Sequence, residues 1–156
     1  MADVTFRGLP TEVARHYQAG GLDAYGLPPE RALSDGQGNP CRHCLKPIAE
    51  GRDYLILAHR PFGALQPYAE TGPIFLCADP CEPWEGQGVP PAQQLVPDYL
   101  LKAYDGRERI IYGRGRVVPQ GELVGYAAAL LDRPDVNFVD LRSARYNCWQ
   151  ARITRR

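Results

Sequence analysis

Two cysteine pairs constrain this chain more than any other feature. Cys41 and Cys44 stand in "NPCRHCLKPIAEG" with two residues between them. After a gap of 32 residues come Cys77 and Cys81 in "CADPC", separated by three. Zinc takes thiolate and imidazole donors in a tetrahedron, usually delivered as two short-range pairs. The spacing therefore predicts a metal site of Cys41, Cys44, Cys77 and Cys81. A knuckle would open onto the β-rich run "DYLILAHR", and the Asp79-Pro80 turn would aim the second pair. Four protein ligands close such a site and leave no position for water, so the expected role of the zinc is structural. His43 is expected either to replace one thiolate or to hydrogen-bond outside the ligand set. His59, at the end of a strand-like run, reads as a satisfied histidine.

The same motif admits other chemistries. A thiol-disulfide redox protein working through Cys41 and Cys44 needs its dithiol at a helix N-terminus, where the dipole stabilises the thiolate. Here Pro47 and Gly51 follow too closely for a helix, and the stretch upstream is a Gly/Asn/Pro loop. A zinc deaminase needs an upstream His-x-Glu, and His16-Tyr17-Gln18 offers only glutamine at the catalytic position. Cys148 lies apart in "YNCWQARI"; as a nucleophile it would need a base within hydrogen-bond reach.

Charge limits the partners. The formal net charge is zero, which argues against nucleic acid as the partner. The distribution is uneven: residues 106–156 hold 10 arginines against 5 acidic residues, about +5 by subtraction. Arg114, Arg142 and Arg145, with Asn147, Tyr68 and Glu70, lie in tight loops or beside apolar strands. They are the candidate ligand-binding residues, since arginine grips carboxylate or phosphate through two parallel hydrogen bonds. If the C-terminal strands neighbour "GRGR", their guanidiniums would share one face. The competing expectation is internal pairing with Glu70, Asp140 and Glu122. No apolar leader or membrane-length run is present, so a cytoplasmic protein without membrane contact is expected. In that compartment thiols stay reduced, which argues against a disulfide framework.

Glycine (16) and proline (15) are frequent enough to predict short elements joined by many turns. A strand is expected at residues 4–7 and a helix at 11–18, then loop from 21 to 40. Strands follow in "DYLILAHR" and "PIFLCA". "DYLLKAY" and "ERIIYGRGRVV" flank Asp105-Gly106-Arg107 and read as a hairpin. Its second strand would put Tyr112, Arg114 and Arg116 on one face, and Ile111, Gly113, Gly115 and Val117 on the other, where the missing side chains would allow close packing. A helix within "GELVGYAAALLDRP" would bury Leu123, Ala127, Leu130 and Leu131. Two final strands complete the chain, the last with Trp149, Ala151 and Ile153 on one face. The class is α+β: a mainly antiparallel sheet, one or two helices and a loop-rich, zinc-knuckle-like lobe. One domain spans residues 1–156, its cysteine-rich lobe inserted at about 38–90.

The segments "CRHCL", "HRPF", "PYAETGPIFL", "DPCE", "IIYGRGRVVP" and "VDLRSARYNCWQARI" occur in this order. Together they resemble a family of bacterial proteins labelled domain of unknown function 1203. The resemblance implies a small bacterial single-domain protein and brings no activity, substrate or catalytic residue. The residues themselves point to a zinc-stabilised binding or interaction module with an arginine-rich anion-binding face. Its partner would be a small anionic ligand or another protein. The alternative is a small enzyme with a polar pocket around Arg142, Arg145, Asn147 and Cys148.

Overall fold

A computed structural model describes residues 3–156. The elements are β1 (Val4–Arg7), α1 (Thr11–Gln18), β2 (Glu30–Leu33), β3 (Asp53–His59), β4 (Gly72–Cys77), β5 (Asp98–Tyr104), β6 (Arg116–Pro119), α2 (Leu123–Leu131), β7 (Phe138–Ser143) and β8 (Trp149–Arg155). Every strand pairing is antiparallel. One sheet has five strands in the order β1-β8-β7-β5-β6, and the other has three, β2-β3-β4. The α+β class with a cysteine-bearing lobe is the observed architecture. Among the described residues, no helix is long and apolar enough to cross a membrane.

Period-two burial builds the larger core. Tyr99, Leu101 and Ala103 of β5, Val139 and Leu141 of β7, and Ala151 and Ile153 of β8 face α2. The helix answers with Leu123, Ala127, Leu130 and Leu131, the four residues its spacing selected. The second core lies in the cysteine lobe. It joins Ala14 and Tyr17 of α1 to Leu55 and Leu57 of β3, Ile74 and Leu76 of β4, Cys41, Cys44 and Ile48.

Three expectations are corrected. Residues 21–40 are not all loop, because β2 pairs with β3 from Glu30↔Ile56 to Leu33↔Asp53. β2 is an edge strand with no buried residue, so hydrophobic alternation could not reveal it. "ERIIYGRGRVV" is not a continuous strand either. Tyr104 bridges Ile110, the chain swings out through Gly113 at φ 80°, and pairing resumes at Leu101↔Arg116. That excursion moves Val118 into the core and leaves Val117 exposed, the reverse of the expected face. Finally, a β-bulge places Arg142 opposite Trp149 while Leu141 still faces Ala151. The extra residue turns Trp149 away from Ala151 and Ile153 and into the second core.

The other face of the large sheet holds a buried ion pair. Arg152 grips the fully buried Asp140 through Nε (2.8 Å) and Nη2 (3.0 Å), and its guanidinium lies 3.7 Å from the Phe138 ring centre. Removing one member of such a pair strands the other, whereas replacing both with apolar groups is often neutral. Asp140→Ala is expected to cost about 3 kcal/mol, and Asp140→Leu/Arg152→Met to recover most of it. Urea unfolding of the two variants checks this; equal midpoints would refute it.

Candidate metal centre

The knuckle is a tight turn clamped by its own backbone. Pro40 bridges Pro47, the Cys41 amide donates to the Lys46 carbonyl (3.0 Å), and the Leu45 amide donates back to Cys41 (3.0 Å). Leu45 completes the reversal at φ 56°. Cys77 is the last residue of β4, and Asp79-Pro80 turns the chain so that Cys81 points back. All four sulfurs, from Cys41, Cys44, Cys77 and Cys81, lie within 4.8 Å of one another. Such a cluster is able to hold a metal ion. None of the five cysteines is in a disulfide.

The cluster's surroundings favour negative sulfur. The amides of His43 and Cys77 both donate to Cys41 Sγ, each at 3.4 Å. His43 Nδ1 lies 3.2 Å from Cys81 Sγ while its Nε2 meets Thr11 Oγ1 at 2.9 Å. The histidine therefore supports the cluster and is not one of the four gathered donors. Hydrogen bonds from Cys44, and then from Cys77 and Cys81, pull the Cys41 thiol far below its ordinary value. Hydrogen bonding to Cys41 in turn pushes Cys77 and Cys81 up. Cys44 is also lowered, by hydrogen bonds from Cys77 and Cys81, so without a cation the knuckle thiols ionise at the expense of the second pair. A divalent cation reverses that logic and ionises all four. No helix starts at Cys41 or Cys44, so neither receives the N-terminal dipole that a redox dithiol uses.

A support that motif reading missed is α1. Arg15 Nη2 donates to the Cys81 carbonyl (2.8 Å), and Gln18 Nε2 to the carbonyls of Cys77 (2.9 Å) and Asp79 (3.0 Å). The helix thus fixes the backbone of the second pair. Its polar residues carried no such signal, because their partners lie more than 50 residues away.

The predicted ligand-binding residues separate. Glu70, Arg142 and Asn147 come together, with Cys148 and His59, around a cavity of about 170 Å³. There Glu70 accepts from Lys102 (2.9 Å) and Asn147 Nδ2 (3.0 Å) and lies 3.8 Å from Arg142. Arg142, only 4% exposed, donates Nη1 to the Asn147 carbonyl at 3.0 Å. Its Nε and Nη2 are sealed in the protein without a partner among the described residues. Tyr104, whose buried hydroxyl also lacks a partner, is close enough for the Arg142 charge to oppose the rise that burial imposes on its phenol. Arg145 is solvent-facing and pairs with Asp98 (3.2 Å). Tyr68 packs against Tyr112 and lies under the Arg109 guanidinium. Arg114 sits on the exposed excursion before β6, which β5 separates from β7. The arginines thus share no single face, and Glu70 and Asp140 are paired internally.

A second cavity, about 770 Å³, opens between the sheets and contains Arg42, which the sequence reading left unassigned. Arg42 occupies the first position between the knuckle cysteines. It donates Nε to the Trp149 carbonyl (2.7 Å) and Nη1 to the Pro40 carbonyl (2.8 Å), and covers the Phe75 ring. Burial pushes its pKa down to about 10, opposed by the charges of Cys148, Cys41 and Tyr99, none of them a carboxylate. Its one signal in sequence is position: a cation held between two prolines and two cysteines cannot snorkel to solvent.

His59 ends β3 under similar pressure. Burial, and then Arg152 and Arg60, push its pKa down to about 4, and Tyr17 Oη meets its Nδ1 at 3.0 Å. The folded protein therefore keeps a neutral imidazole where the unfolded chain takes a proton. Stability from this group is intact above pH ~6.5 and is lost as the pH falls towards 4, by up to about 3 kcal/mol. Comparing His59→Gln with the parent by urea unfolding at pH 7 and pH 4.5 cancels the acid loss shared by the thiols. The parent is expected to lose more; parallel losses would refute the assignment.

Searches of curated proteins and of solved structures each returned no match. A family model described as protein of unknown function (DUF1203) matches residues 38–155, which take in both cysteine pairs, both cavities' principal strands and α2, and the chain belongs to that family.

Proposed function

We propose that the protein is a zinc-stabilised binding module that takes an anionic ligand. The observation that carries the metal half is the gathering of four cysteine sulfurs within 4.8 Å. Zn–S bonds of about 2.3 Å place tetrahedral sulfurs about 3.8 Å apart. Cys41 Sγ and Cys81 Sγ are separated by 3.8 Å. The ligand set leaves no open coordination position, so the ion's work is to hold the knuckle, the end of β4 and the following turn together. A buried arginine without a carboxylate partner among the described residues, on a cleft between the sheets, supports the anion half.

A small enzyme acting in the cavity of Glu70, Arg142, Asn147 and Cys148 is less well supported. Glu70 is engaged by Lys102 and Asn147, and the free N–H groups of Arg142 are sealed from solvent. His59 Nδ1 is engaged by Tyr17.

Gently purified protein is expected to contain one zinc per chain by elemental analysis, with Cys41→Ser and Cys81→Ser each abolishing stoichiometric binding. Chelation is expected to lower the melting temperature by 10 °C or more, since structural zinc binding is part of the folding free energy. Protein that remains folded and equally stable without metal would sink the proposal. Stoichiometric iron in place of zinc would overturn the choice of metal.

A further inference from the structure

The cleft between the sheets, about 770 Å³ in volume, lies within the ~300–1,000 Å³ range of small-molecule sites. Phe75 reaches it from β4, Tyr99 from β5, and Leu95 and Val96 from the segment before β5. Leu95 is 71% exposed and Tyr146, also on its lining, 81%. Apolar surface here faces water beside a polar floor.

That floor is built from two buried side chains. Arg42 is 2% exposed, and the carbonyls of Trp149 and Pro40 fix its guanidinium through Nε and Nη1. Its Nη2 bonds to no other described residue, and among the described residues no carboxylate forms an ion pair with it. Gln150, buried on the same lining, has a side-chain amide bonded to no other described residue. A buried cation without an anion is costly. A zinc tetrathiolate next to Arg42 would supply negative charge, but it does not account for an oriented, unused N–H donor or for the apolar walls around it.

We infer that this cleft binds an organic monocarboxylate with an apolar body, its oxygens taking hydrogen bonds from Arg42 Nη2 and the Gln150 amide while the body lies along Phe75, Tyr99, Leu95 and Val96. The inference rests on the anion-binding half of the function proposed above and names the ligand class. A carboxylate fits better than a bare inorganic anion, because such an anion would leave the apolar walls wet.

The test is calorimetric titration of zinc-loaded protein with acetate, hexanoate and decanoate, and with decan-1-ol and decylamine as controls of matched length. Decanoate is expected to bind most tightly, with up to about fourfold gained for each buried methylene. Decan-1-ol and decylamine are expected to bind at least tenfold more weakly. Arg42→Lys keeps a positive charge beside Cys41 but loses the fixed donor; it is expected to weaken decanoate binding by roughly tenfold or more at unchanged zinc content. Leu95→Ser/Val96→Ser, on the exposed rim, is expected to flatten the chain-length dependence. Decan-1-ol binding as well as decanoate, or Arg42→Lys keeping full affinity, would overturn the inference. So would fully zinc-loaded protein that binds none of the acids. If zinc is not found but decanoate binds through Arg42, the metal half of the proposed function fails and this inference stands.

Discussion

Four thiols within 4.8 Å of one another cannot all ionise unless a cation joins them, and much of the small lobe hangs on how that conflict resolves. The three-stranded sheet contributes only a modest core of its own, drawn from β3 and β4. Its fourth side is the knuckle, whose Cys41 and Cys44 are part of that core as well as candidate ligands. Protonated, these thiols pack as small hydrophobes. Ionised around a metal, they also fix the relative positions of the knuckle, the end of β4 and, through Arg15 and Gln18, helix α1.

The two lobes interlock through residues that cross over. Leu45 leaves the knuckle at φ 56° and enters the core beneath α2. Trp149 is turned by the β7–β8 bulge into the core of the cysteine lobe. Between them Arg42 donates to the carbonyl of Trp149 itself. The cysteine cluster, the bulge and the floor of the large cleft are thus successive links of one chain of contacts.

How far this was legible in the sequence depended on the range of the interaction. The strands β3, β4, β5, β7 and β8 and both helices follow from local periodicity and turn chemistry, which neighbours along the chain determine. The clustering of the cysteine quartet was legible because two short-range pairs, each at a turn, suggest a spacing rule at short range and a pairing rule at long range. The strand β2 was not, because none of its residues is buried and β3 is the strand it pairs with. The face of β6 and the place of Trp149 at the start of β8 were misread for one reason: a bulge or an excursion adds residues, and each added residue inverts what lies beyond it, while Ala151 and Ile153 keep the expected common face. The arginines failed differently. Their sequence clustering suggested a common face, yet strand order places β5 between the excursion and β7.

The arginine that matters most for the proposed binding was hidden by that same emphasis on clusters. Arg142 and Arg152 have carboxylates within reach, at 3.8 Å for Glu70 and 2.8 Å for Asp140, so their charge is largely spent on the fold. Arg42 has carbonyls and an aromatic ring instead. Carbonyls orient a guanidinium without neutralising it, which is the condition under which an arginine stays available to an incoming anion. A knuckle provides that condition almost automatically: its tight turn brings backbone oxygens close together, and the clustered cysteines on either side fix the position of the residue between them. On this reading the residue between the ligands, rather than the ligands themselves, connects the metal-held scaffold to whatever the protein binds.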